Sequence, residues 1–590
     1  MIRDFFACSH PQKTPIMSNE SLIGANLDNN HMITRFAFSA AALLCLSLSA
    51  VAEVQPSTSF AGNYLAGRSA GKSRDVSAAT VFVSAALKQG ENNPALVERL
   101  FQLQLSNGSI AEAEASAEKV IAFNSQHRMA RIVLGLKEFR ARRYDKAREN
   151  FAEASYTPVG ELTAALLTAW SFAGEGSVNA ALKELDKLDN QESFANFKAF
   201  HSALILDYSG SAMRAEGAYK KAYEMAGTSL RVVQAYGNFL ERSSHAADAI
   251  KIYEDFLSEV KSNVLIEAAL SNAKAGTKPL PFIAVPATGA GEALFSLAGA
   301  MNDEQSIDVA ELYAQLAISF NKDQPITQTL LGDIYSDMKS GLAAVDAYEQ
   351  VPAVSPLRGY ADMQIAINLQ RLGQVPEATT RLKAVLAKDP KNLDAWTTLG
   401  NIYRINEQFD EATAAYAKAI DLIPAGDTNN WQIYYNRGIA FDRQKSWDKS
   451  EADFRKALSM SKDEPSVLNY LGYSLIDRGA KLDEAIAMVK KAVDLRPNDG
   501  FIVDSLGWAY FTLRDYEQAA GYLERAVDLN PADPTIAEHL GDAYWQVGRK
   551  NEAYFQWQHS KDNGAEGADL ARVIAKLKDG YTDVKTVVKQ

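Results

Sequence analysis

Residues 469–557 decide the fold: NYLGYSLIDRGAKLDEAIAMVKKAVDLRPNDGFIVDSLGWAYFTLRDYEQAAGYLERAVDLNPADPTIAEHLGDAYWQVGRKNEAYFQW. The stretch states one pattern three times. Gly472, Gly507 and Gly541 each precede a bulky residue by three positions: Leu475, Tyr510 and Tyr544. Each glycine is followed twelve or thirteen residues later by an alanine: Ala485, Ala519 and Ala553. Self-similarity with a period of about 34 residues specifies a solenoid of helical hairpins, because one hairpin cannot bury its apolar face alone and must stack on neighbours.

Working outward, Asp394 to Pro424 carries the fullest form: Trp396, Leu399, Gly400, Tyr403, Ala412, Tyr416, Ala419 and Pro424. These residues resemble the tetratricopeptide pattern at every signature position. Position 8 (Gly400) and position 20 (Ala412) are small where the two helices approach closely. Positions 24 and 27 are apolar and inward-facing, and the terminal proline stops the second helix. Stepping backward places position 8 on Ala366, Gly332 and Ala298, with Ala378, Ala344 and Ala310 at position 20. Stepping forward gives Gly438, Gly472, Gly507 and Gly541, after a four-residue insertion around 426–430. In the N-terminal half position 8 falls on Gly67, Phe101, Gly135, Ala169, Ala203 and Gly237, and position 20 on Ala79, Ala113, Ala147, Ala181, Ala215 and Ala249. Phe101 is the misfit, and its repeat is expected to be distorted.

The predicted fold is therefore an all-α, α-α superhelical solenoid of about 14 repeats in two arrays. Six repeats occupy 60–257 and eight occupy 291–563. Between them, 258–290 is an irregular break: a helical segment at 263–275, then a loop over 276–291. Pro279, Pro281 and Pro286 with three glycines cannot continue a helix there. The break reads as a hinge or as a buried extended segment, since Phe282, Ile283 and Val285 are apolar. A capping helix near 568–577, and then a tail, account for 564–590.

The 590 residues carry a net charge of −12. In the first 52, Arg3, Lys13 and Arg35 balance Asp4, Glu20 and Asp28, so the rest of the chain holds the whole excess. Such a surface is a poor nucleic-acid binder. Residues 32–52, MITRFAFSAAALLCLSLSAVA, have the form of a secretory signal peptide, with Arg35 before an apolar run and Ala50-Val51-Ala52 before cleavage at Glu53. Residues 1–31 read as a dispensable upstream extension. The two cysteines, Cys8 and Cys45, both precede that cleavage site. The chain after it therefore offers no disulfide, iron–sulfur ligand or thiol nucleophile.

Catalytic signatures are not found. Ala66 to Ser73 imitates the tail of a phosphate-binding loop, but alanine replaces its first glycine and no strand precedes it. His127, His201, His245, His539 and His559 show no metal-ligand spacing. No enzyme activity, cofactor or metal is expected. Function is sought instead at positions 2, 5, 9 and 12 of each first helix, which line the concave groove and are not needed to pack the hairpin. In the C-terminal array these select Tyr435, Tyr473, Phe501, Trp508, Phe511 and Trp545, interleaved with Asp442, Asp504, Glu538 and Asp542. Aromatic anchors in a charged surround concentrate binding energy. The acidic lining predicts a basic or neutral partner segment.

The motifs LNYLGYSLIDRG (468–479), LRPNDGFIVDSLGWAYFTL (495–513) and HLGDAYWQVGRKNEAYFQW (539–557) resemble signal-bearing tetratricopeptide proteins of Gram-negative envelopes. That family includes a lipoprotein adaptor that recruits and activates a periplasmic carboxyl-terminal processing protease acting on peptidoglycan hydrolases. The resemblance implies a periplasmic, non-enzymatic scaffold supporting envelope integrity, with that protease as an implied partner. The chain departs from the adaptor in lacking a lipobox, since Leu44 precedes Cys45. The alternative expectation is an accessory scaffold for polysaccharide export or cell-wall assembly.

Overall fold

The computed structural model describes residues 55–90, 93–260, 262–301, 305–322 and 324–582, and the leader expected at 32–52 lies outside them. The described residues form thirty α-helices, two short 3-10 segments and no strand. Six hairpins come first: α1 (Phe60–Lys72) with α2 (Val76–Gln89), α3 (Pro94–Ser106) with α4 (Ile110–Phe123), α5 (Arg128–Arg140) with α6 (Tyr144–Ala152), α7 (Pro158–Gly174) with α8 (Val178–Leu185), α9 (Ala195–Tyr208) with α10 (Ala212–Ala226), and α11 (Leu230–Arg242) with α12 (Ala246–Val260). A single helix follows, α13 (Val264–Lys274). Eight further hairpins are α14 (Pro286–Ala300) with α15 (Ile307–Phe320), α16 (Pro325–Asp337) with α17 (Gly341–Glu349), α18 (Arg358–Arg371) with α19 (Val375–Lys388), α20 (Leu393–Ile405) with α21 (Phe409–Asp421), α22 (Trp431–Arg443) with α23 (Trp447–Met460), α24 (Pro465–Asp477) with α25 (Leu482–Leu495), α26 (Gly500–Thr512) with α27 (Tyr516–Leu529), and α28 (Pro534–Gln546) with α29 (Lys550–Asp562). The last helix is α30 (Gly567–Asp579).

Local chemistry starts several of the helices. At α28, Asp533 accepts hydrogen bonds from the amides of Thr535 and Ile536, and Pro534 occupies the first helical position, where no amide is needed. Asn392 and Asp499 cap α20 and α26 in the same way. Each such cap contributes about 1 kcal/mol. Within hairpins, the residue at position 8 faces a large side chain from position 24. Gly541 lies under the fully buried Trp557, where a Cβ would meet the indole at 2.5 Å.

Phe101 corrects the expectation of a distorted repeat. It is fully buried, edge-on to His127, and α3 and α4 are regular. Position 24 of that repeat is Ala117, also fully buried. Large and small have exchanged places across the hairpin, conserving volume, and such exchanges are well tolerated in cores.

The segment after α13 also differs from the reading of 276–291 as non-helical throughout. Only 277–285 is irregular; α14 begins at Pro286 and includes Gly289 and Gly291. Proline is acceptable there because it sits in the first turn. Among the described residues the chain divides into two compact units, 55–381 and 382–582. The division falls within α19 rather than at 258–290, because α14 packs on α7 and α9, and α15 packs on α3, all within the first unit.

Candidate functional site

In residues 55–381 the concave positions of the early repeats are already engaged. Trp170, at position 9 of its repeat, lies flat against Gly289 of α14, where any Cβ would collide with the ring. Its indole nitrogen donates to His201 Nδ1 at 3.1 Å. Burial holds His201 down at about 4, so the imidazole stays neutral. Arg231, at position 2, makes a bidentate ion pair with Glu292 of α14, with Nε to Oε1 at 2.8 Å and Nη2 on Oε2. Both partners are buried. Phe282 covers the guanidinium at 4.4 Å, and Asn238 donates to the Leu280 carbonyl at 2.9 Å. The irregular segment 277–285 is thereby held on the same surface. At the other end, Thr163 and Tyr313 share a hydrogen bond of 2.9 Å, and Phe139 meets Phe320 at 5.9 Å. The groove of the first six repeats is therefore filled by the chain's own α14–α15 hairpin.

The groove residues singled out in 382–582 fall into two groups. The acidic ones are rungs between successive first helices. Asn436 donates to Asn401 (3.2 Å), Ser474 to Asp442 (2.9 Å) and Asn469 to Ser505 (3.2 Å). His539 Nδ1 contacts Asp504 Oδ1 at 3.0 Å. Arg572 of α30 grips Glu538 with two bonds of 2.6 and 2.8 Å. Lys576 of α30 reaches both Glu538 and Asp542 at 2.6 Å. Asp542 also accepts from the Trp557 indole at 2.9 Å. Apart from the Trp557 bond, each rung joins residues about one repeat apart, between 32 and 38 positions.

This corrects the expectation of an acidic lining open to a basic or neutral partner segment in its basic part: Asp504, Glu538 and Asp542 are buried and already paired within the chain. Burial pushes the Glu538 carboxyl up, but Arg572 and Lys576 outweigh it and hold it below the usual range. Burial alone would lower His539, yet the Asp504 carboxylate reverses the sign and raises it.

The aromatic residues divide as well. Trp508 is sandwiched, with Phe511 stacked at 4.7 Å on one side and His539 at 4.0 Å on the other, so it offers an edge rather than a face. Phe511 is buried and touches Tyr581. Trp545 is half-buried, covered by Gly580 and approached by Lys550 at 4.9 Å. Tyr435 is half-buried against Phe454 and Tyr470. Tyr473 is half-buried, and burial raises its hydroxyl pKa. Phe501 is 41% exposed. The accessible part of the groove is thus Tyr435, Tyr473, Phe501 and the edge of Trp508, an aromatic surface with its charges paired internally. Position counting missed the rungs because it tracked contacts within a hairpin. Polar pairs spaced one repeat apart, such as Glu538 and Arg572, were the signal that shows them.

Among the described residues, no group of three or more His, Cys, Asp or Glu side chains is arranged to hold a metal ion, and no helix is long and apolar enough to cross a membrane.

The tetratricopeptide repeat family model matches residues 98–160, 363–427, 430–500 and 505–558. A TPR repeat-containing protein of Pseudomonas aeruginosa is 28% identical over 181 residues, covering 30% of this chain and 30% of that relative. The general transcriptional corepressor ssn6 of Schizosaccharomyces pombe is 30% identical over 143 residues, 24% of this chain and 12% of its own length. The chain thus spans less than a third of the length of these relatives. Yeast Tom70 is similar over 88% of this chain and 95% of its own, at 15% identity and a TM-score of 0.36. The Cut9–Hcn1 hetero-tetramer of the APC/C matches over 89% of this chain and 100% of its own, at 14% identity and a TM-score of 0.37.

Proposed function

We propose that this solenoid of tetratricopeptide repeats is a non-catalytic protein-binding scaffold of the bacterial envelope, and that its accessible groove in residues 382–582 holds an apolar or aromatic segment of a partner. One observation supports the reading most. In residues 55–381 the same groove positions grip a helical hairpin of this chain, so the surface is of a kind that binds polypeptide. The leader-like stretch at 32–52 supports export to the periplasm. The resemblance of residues 468–557 to envelope proteins supports a role in envelope integrity, with a carboxyl-terminal processing protease as the partner to test first.

Because the groove acids are internally paired, recognition rests on Tyr473 and Phe501 rather than on charge. A buried aromatic anchor contributes about 2 kcal/mol or more, which corresponds to more than tenfold in affinity. Crosslinking followed by pull-down from native envelopes, with the full chain and its Tyr473→Ala and Phe501→Ala variants, tests this. The reading expects one protein to be captured by the parent and at least tenfold less by the variants. Equal recovery removes the groove from the proposal, and fractionation of the chain with the cytosol removes the envelope.

A further inference from the structure

The α14–α15 hairpin is fastened to the first groove at several points, and one of them is chemically unlike the others. Arg231 and Glu292 form an ion pair, and Thr163 and Tyr313 a neutral hydrogen bond. At the third point, α15 meets the C-terminal end of α3. Gln315 Nε2 donates to the Ser106 carbonyl at 2.9 Å and to the Tyr335 hydroxyl at 3.0 Å. Tyr335 in turn donates to the same Ser106 carbonyl at 3.1 Å. Into this cluster α15 inserts Glu311, which is 4% exposed. Its Oε1 is buried without a hydrogen-bond partner.

We propose that Glu311 is a pH-operated latch: its neutral carboxyl seals α15 against the end of α3, and its ionisation loosens that end of the hairpin from the first groove. The groups facing the carboxyl pull both ways: burial and Asp308 favour its neutral form, Tyr335, Ser106 and Arg74 favour its charged form, and burial prevails. Asp308, on the same helix, repels a charge at Glu311. Tyr335 of α16 and Ser106 of α3 hydrogen-bond to it but carry no positive charge. Arg74, in the turn between α1 and α2, is the cation on that side, and it pairs with Asp308 at 3.8 Å near the surface. A carboxylate here is a buried charge without a cationic partner, which proteins avoid by keeping the group protonated. Burial accordingly pushes Glu311 up to about 7.

The sign follows from linkage. In the loosened state the carboxyl regains its ordinary acidity. The closed state therefore holds the proton more tightly, and closure weakens as pH rises from the ordinary value of 4.5 through about 7. The other end is held by the Arg231–Glu292 ion pair, away from Glu311.

Hydrogen exchange of the full chain at about pH 5.5 and about pH 8.5, corrected for intrinsic exchange, tests this. The amides of α15 and of the end of α3 are expected to lose protection about tenfold or more at the higher pH, while those of α11 and the start of α14 do not. In Glu311→Gln the loss disappears. Asp333→Asn serves as a control: Asp333 is also pushed up by burial, to about 6, but its partners are Tyr348 and Tyr360 rather than residues of α3 or α15. The proposal is overturned by a parent chain whose α15 protection is flat across this range, by a Glu311→Gln chain that keeps the loss, or by a loss abolished in Asp333→Asn instead.

Discussion

The two grooves are built from the same repeat positions and put them to different use. In residues 55–381, positions 2, 9 and 12 supply Arg231, Trp170 and Phe139, and all three bear on α14 or α15. In residues 382–582, positions 5, 9 and 12 supply Asp442, Asp504, Glu538 and Asp542, which face sideways to the next first helix or to α30 and tie the stack together. Groove positions are therefore not reserved for outside partners. They are residues released from hairpin packing, free to bind a segment of the same chain, a neighbouring repeat, or another protein.

The sharpest way to break the contrast is Arg231→Ala. It leaves Glu292 charged and buried, and removing one partner of such a pair costs about 3–5 kcal/mol. Chemical denaturation of the full chain should show an earlier first transition, and the double variant Arg231→Met/Glu292→Met should recover most of it. If the single variant unfolds like the parent, the hairpin does not hold the first groove. Lys576→Ala is next. It removes one cation from two buried acids, but Arg572 still covers Glu538, so the expected loss is about 2 kcal/mol, read in the last transition. Gly289→Ala follows at about 1–3 kcal/mol, because the new methyl must displace Trp170 in a packed interface. Tryptophan fluorescence of the variant should report the displaced ring. A change in partner capture without that signal would argue that the first groove is open.

The smallest effect is a pH dependence at His539. Its raised pKa means that the Asp504 pair stabilises the fold fully below the ordinary histidine value of 6.5, and that this contribution is lost as pH rises through the higher folded value. Imidazole titration by NMR in the parent and in Asp504→Asn measures it. The variant should titrate lower, because burial is then opposed only by Glu538 and Asp542. An unchanged midpoint would dismiss Asp504 as the cause.

Much of this molecule can be read from spacing. Gly472, Gly507 and Gly541 mark the period, and the run of alanines at position 20 carries it back to Ala79, because close helix approach admits few residue types. The turns repeat the same period in backbone form. Arg74, Arg142, Lys339 and Arg514 take left-handed conformations between the helices of their hairpins, yet no glycine announces them. Phe101 was illegible alone, since its meaning depends on Ala117 across the hairpin. Pro286 and Gly289 looked like breakers, and only contact with Trp170 makes them the start of a helix. The candidate site was legible as a set of positions. It was not legible as a set of roles, because a carboxylate at position 5 or 9 looks the same whether it awaits a ligand or already holds Arg572.

By itself the sequence determined the class of fold, the helix register, the hairpin interiors and the positions that line a groove. These follow from short-range spacing, with partners no more than one hairpin apart. Only the tertiary structure decided that α14 and α15 turn back into the first groove, and that α30 neutralises the last acids of the second. Those pairings bring together residues such as Arg231 and Glu292, 61 positions apart, or Ser106 and Tyr335, 229 apart. No local periodicity records such contacts, since their free energy comes from burying complementary surfaces once the chain has already been brought together.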